Sequence, residues 1–195
     1  MINKVSLLNQ VFTLENNSLL TEDSFNVYEL GYFDHICKLT LSKLISYVIK
    51  CILDTKNICC ICITSKENGT YLAKDLKNMK IKPVIVNLKK SINNADLVSL
   101  VTLLGDDNAL ELYLEVIWDL SKNHDALYFI NSNNSMGVVD LLVNNYRLET
   151  FSDPFLKLLV QKYLSVLSMG HDGLSINISS LAIEESQIIN KLNNI

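Results

Sequence analysis

The chain has 195 residues and a mass of 22.0 kDa, room for one domain of ordinary size with a short appendage. Hydrophobic residues make up 49% and charged residues 19%, with a mean hydropathy of +0.21, which excludes a disordered chain. Seventeen basic against 21 acidic residues leave a formal charge of −4, which excludes a strongly basic nucleic-acid binder, though not a local basic patch.

Residues 1–22 read as a helix followed by an Asn-rich connection, and residues 23–195 as the main domain. Phe25 to Leu30 alternates apolar and polar residues and predicts a short strand. Lys38 to Leu53 carries Leu41, Leu44, Ile45, Val48, Ile49 and Ile52 at helical spacing. Ile58 to Thr64 is an apolar run that predicts a strand buried on both faces. A short helix over Thr70–Met79 and a strand over Lys82–Leu88 follow, with Pro83 tolerable at the strand's start. Ala95–Leu104 and Leu110–Asn123 have the spacing of amphipathic helices, and Ala126–Asn131 that of a core strand. Val138–Asn145 is expected to be helical. Pro154–Met169 predicts one helix, with Asp153 as its cap. Gly173–Ser179 and Ile183–Ile195 complete the chain as strand and helix.

No run of about 18 apolar residues lacks charges, so no transmembrane helix is expected. The N-terminal Met1–Gln10 does not read as a signal peptide, because its apolar stretch breaks at Asn9 and Gln10. Cys59, Cys60 and Cys62 crowd one predicted strand, where neighbours point to opposite faces, and no C-x-x-C pair exists. The expectation is reduced core thiols in the nucleus or cytoplasm, with no metal and no cofactor.

Apolar strands alternating with helices predict an α/β fold, a mostly parallel sheet with helices on both faces. Ligands in such folds sit beyond the carboxyl ends of the strands. After the first of these strands, Gly31 to Leu41 stands where a phosphate-binding loop would stand. Such a loop needs Gly for its backbone amides, Lys for the terminal phosphates and Ser or Thr for magnesium. Lys38 holds the Lys position, but Cys37 replaces the preceding Gly and Leu39 the following Ser or Thr.

This order of elements is similar to the RecA-like ATPase core, and the local wording resembles the eukaryotic recombinase and its paralogues over roughly residues 20–180. Val27-Tyr28-Glu29-Leu30 looks like the family's strand into the P-loop, Asn68-Gly69-Thr70-Tyr71 like its Glu-Gly-Thr-Phe segment, and Leu127 to Ser132 like its Walker B strand. The resemblance implies that Asn68 replaces the Glu that polarises water and Asn131 the Asp that holds magnesium. Lys38, Leu39, Asn68 and Asn131 would then mark a vestigial nucleotide site without catalytic residues. The resemblance thus implies a pseudo-ATPase, not an enzyme. It would pair with another RecA-like paralogue and assist the recombinase filament in homologous recombination and DNA repair in the nucleus. Alternatives are a subunit of an Elongator-type tRNA-modification complex, a division-inhibitor-like protein, or a small α/β enzyme with an unrecognised site.

Lys74, Lys77, Lys80, Lys82, Lys89 and Lys90 concentrate positive charge around the second helix and third strand. They are either a solvated face or a surface for DNA phosphates, with binding weak until a partner joins. Aromatic residues for base stacking are lacking there apart from Tyr71. Asp106 and Asp107 read as helix caps. The high apolar fraction, concentrated in Val98–Leu104 and Leu110–Leu120, predicts a chain that needs a protein partner.

Overall fold

The computed structural model describes residues 2–7, 10–16, 25–31, 38–88, 96–121, 126–145, 154–169 and 175–193. Nine strands and six helices follow one another in these segments. They are β1 (Ile2–Leu7), β2 (Gln10–Asn16), β3 (Asn26–Gly31), α1 (Lys38–Leu53), β4 (Ile58–Ser65), α2 (Lys66–Asn78), β5 (Val84–Leu88) and β6 (Leu97–Leu104). Then come α3 (Asp107–Ser121), β7 (Ala126–Asn131), α4 (Ser135–Asn145), α5 (Pro154–Tyr163), β8 (Ser165–Met169), β9 (Ser175–Ser180) and α6 (Glu185–Asn193).

All nine strands form one sheet in the order β1-β2-β3-β9-β8-β7-β4-β6-β5. Each of its eight pairings is antiparallel, so strand direction alternates from edge to edge. The expected mostly parallel, RecA-like sheet is therefore corrected. Three misread stretches account for the difference. Residues 2–7 and 10–16 form the antiparallel strands β1 and β2 rather than a helix, and β2 continues the sheet onto β3. Residues 97–104 form β6 rather than a helix, and β6 lies between β4 and β5. The predicted helix over 154–169 stops at Tyr163, and β8 reverses the chain.

From β4 to β7 the chain runs β-α-β-β-α-β with the sheet order β7-β4-β6-β5. This is a split β-α-β arrangement, in which each helical crossover steps over an antiparallel strand. The strands are apolar on both faces because helices cover both faces. On one side α1, α2, α3 and α6 pack over Leu30, Cys60, Cys62, Leu100, Leu104 and Leu127. On the other, α4 and α5 cover Val27, Cys59, Ile61, Ile63, Val101 and Ile130. Burial on both faces explains the composition of β4 but does not set its direction.

Local chemistry explains several boundaries. Ser65 caps α2 by accepting the Asn68 amide at 3.2 Å, so the helix starts four residues before the Thr70 expected from the sequence. Asp106 caps α3 by accepting the Ala109 amide at 2.7 Å, as its position predicted. Asn134 accepts the Gly137 amide at 3.0 Å in the first turn of α4. Helix α1 ends at Asp54 (φ 51°) and α5 at Leu164 (φ 65°), both left-handed without a glycine. Phe12 and Leu14 of β2 are buried in the core, so that part of the N-terminal segment packs on its own domain.

Candidate functional site

The four positions of the expected nucleotide site do not converge. Strand β7 runs against β4, and Asn131 pairs with Ile58 at the start of β4. Asn68 follows Ser65 at the other end of that strand. Seven residue steps of strand separate the two ends, roughly 23 Å. Lys38 and Leu39 open α1, beyond the end of β3. Strands β9, β8 and β7 lie between β3 and β4, a separation of roughly 19 Å in the sheet. In a parallel sheet all these strand ends would meet along one rim; here β3 and β4 end on the same rim but three strands apart, and β7 ends on the opposite rim. Each residue instead has a local setting. Asn68 is a first-turn residue whose amide Ser65 caps, and Asn131 leads through Ser132 into α4. Buried Gly69 lets α2 lie close to β6, since a Cβ there would collide with Cγ2 of Val98.

Asn131 does line an open cleft of about 620 Å³ with Asp54, Tyr163, Ser165, Gln187 and Lys191. Among the described residues its one cation is engaged: Lys191 Nζ donates to the Cys51 carbonyl at 3.2 Å and stands 3.6 Å from Asp54 Oδ2. Ser180 braces the floor, its Oγ lying 2.8 Å from Ser165 Oγ and accepting the amides of Ala182 and Ile183. The Lys191 contacts tie α6 to the end of α1, and the Ser180 contacts join the segment before α6 to the start of β8. Among the described residues no three His, Cys, Asp or Glu side chains gather as a metal site would require.

The sequence-predicted lysines fare differently. Lys74 and Lys77 lie exposed on α2, and Lys80 and Lys82 lie exposed on the connection into β5. Lys89 and Lys90 fall outside the described residues. Between Lys66 and Lys90 the sequence has seven lysines against two carboxylates, Glu67 and Asp75, in a chain whose net charge is −4. The part of this stretch with Lys80 and Lys82 leads directly into an open edge of the sheet. Strand β5 pairs with β6 on one side and, among the described residues, with nothing on the other. Val84 is 36% exposed and Ile85 53% exposed, large values for apolar residues in a nine-stranded sheet. A second open cleft, of about 590 Å³, lies between the end of α2 and the start of α3, lined by Met79, Lys80, Ile81, Asp106 and Leu112.

No family model, curated protein or solved structure matches the chain. The site therefore stands on its own residues.

Val84 and Ile85 were missed from the sequence, where Val84-Ile85-Val86 reads as one more buried strand. The signal was present in Pro83 just before it and Lys89-Lys90 just after it. Proline and lysine are the residues that natural edge strands carry. Cys51, Cys59, Cys60 and Cys62 are reduced thiols, and the last three are buried in β4. Burial pushes the Cys59 thiol up to about 12 and holds the Cys60 thiol well above its ordinary range, so neither is a ready nucleophile.

Proposed function

We propose that the chain is a binding subunit rather than a nucleotide hydrolase, and that it holds a protein partner at the β5 edge. One observation carries the reading: an edge strand that, among the described residues, is paired on one side only and exposes Val84 and Ile85. An edge of this kind is a template for another strand. With helices over both sheet faces, the edges and outer helix surfaces are what a partner can reach. The recombination role implied by the resemblance rested on a parallel core and is not carried into this reading.

The test starts from the tagged full-length chain, purified with whatever subunit accompanies it. That subunit is identified, made separately and titrated against wild type and Ile85→Lys. Ile85 is half exposed, so the variant should fold as wild type does, as a circular dichroism melt would verify. The expected result is affinity weakened about tenfold or more, or 1.4 kcal/mol. Equal affinity from a folded Ile85→Lys chain refutes the β5 edge as the binding surface.

A further inference from the structure

We infer that the β5 edge receives an extended, acid-flanked strand from a different protein, laid beside Val84–Leu88 as the next strand of the sheet; this rests on the partner-binding reading above. The main chain sets the form of the ligand. A five-residue edge strand offers about five backbone hydrogen bonds to an added strand. Pro83 has no amide hydrogen, so pairing starts at Val84. Side chains set the contacts. Val84 pairs with Val101 on the α4 and α5 face, and Ile85 with Leu100 on the opposite face. The added strand therefore meets one exposed apolar residue on each face, next to its own alternating side chains.

Charge sets the flanks. Lys80 and Lys82 stand exposed before the strand, and Lys89-Lys90 follow Leu88 in the sequence. Acidic residues at both ends of the incoming strand complement them. The same lysines argue against a second copy of this chain. Antiparallel self-pairing brings Lys82 of one copy toward the Leu88 end of the other, which Lys89-Lys90 follow in the sequence, and parallel self-pairing sets Lys82 beside Lys82. Nucleic acid fits less well, because phosphates gain nothing from Val84 and Ile85 and β5 carries no aromatic residue on which a base could stack.

Fluorescence anisotropy with the full chain tests this. The probe is a labelled peptide of alternating Val and Thr with a Glu pair at each end. Comparators are the same peptide with Lys pairs, the same peptide N-methylated at alternate residues, and a short DNA duplex. The Glu-flanked peptide should bind, about tenfold more tightly than the Lys-flanked one. N-methylation should abolish binding, and Lys82→Glu should weaken it about fivefold. The inference is overturned by no peptide binding, by equal binding of the N-methylated or Lys-flanked peptide, or by tighter binding of DNA. A dimer of twice 22.0 kDa that Ile85→Lys splits also overturns it, in favour of a second copy. Failure here with the Ile85-dependent partner still bound sinks the strand chemistry alone; loss of that dependence sinks the binding reading itself.

Discussion

Gly69→Ala decides whether α2 is seated tightly on the sheet. Alanine favours a helix over glycine by up to about 1 kcal/mol, so an exposed glycine at this place would gain stability on substitution. Gly69 is buried, and the new methyl would run into Cγ2 of Val98, with Leu100 Cδ1 at 3.5 Å and Thr64 Cγ2 at 3.6 Å. Val98 is 3% exposed and β-branched, so it has little freedom to turn aside. Overpacking of this kind costs about 1–3 kcal/mol. With the full helix gain set against it, the net loss is up to about 2 kcal/mol, or as much as about 8 °C in Tm for a chain of this size. Urea unfolding of Gly69→Ala, Val98→Ala and the double variant measures it. In the Val98→Ala background the clash is gone, and Gly69→Ala should become neutral or stabilising. If Gly69→Ala stabilises the wild-type chain by about 1 kcal/mol, α2 does not press on β6 and the packing argument fails.

The double variant Asn68→Glu/Asn131→Asp restores the two acidic side chains of the RecA-like pattern. Because those positions lie at opposite ends of β4, it should gain neither ATP hydrolysis nor thermal stabilisation by ATP with magnesium. Stability should also fall at high pH. Cys59 titrates near 9.0 when unfolded and at about 12 when folded, so its contribution is whole below pH 9 and is lost between pH 9 and about 12. The slope is about 1.4 kcal/mol per pH unit, and Cys60 adds to it in the same direction. Cys59→Val should flatten the fall of the urea midpoint over that window, and an unchanged slope would contradict the assignment. Tyr113 is fully buried with its hydroxyl unsatisfied, so Tyr113→Phe should leave stability equal or raise it by about 1 kcal/mol in urea unfolding. A loss greater than about 1 kcal/mol would mean that the nearby Thr102 holds the hydroxyl.

Much of the element pattern is legible in the residues. The bounds of α1 coincide with the Lys38–Leu53 apolar stripe, and β4 and β7 lie where their apolar runs predict. Strand β6 deceives because Leu97, Val98, Leu100, Val101, Leu103 and Leu104 repeat at helical spacing. A strand with both faces buried has no alternation to show, and only Val98, Val101 and Thr102 hint at its nature. The reversal at Leu164 is hidden because no glycine or proline marks it; a leucine takes the left-handed turn instead. Direction was illegible for a deeper reason: burial on both faces says that helices flank the sheet, not how its strands run. At the candidate site the lysines stand out as a charge cluster, while exposure of Val84 and Ile85 depends on β5 being outermost. That order follows from β6 slipping between β4 and β5, a long-range outcome that no local pattern encodes.

The pairing of β3 with β9 joins opposite ends of the chain, with Tyr28 standing across from Ile178. During synthesis the first three strands emerge together, but β3 has no neighbour on its far side until residues 175–180 appear. Residues 58–131, by contrast, hold four adjacent strands and two crossover helices that pair among themselves, so half of the sheet can assemble early. High contact order of this sort slows the last step of folding and leaves an open strand waiting in the meantime. A chain cut short before β9 would keep its N-terminal hairpin and lose the strand that covers it. Such fragments should stick to one another through β3, which makes the C-terminal segment the element that closes the fold.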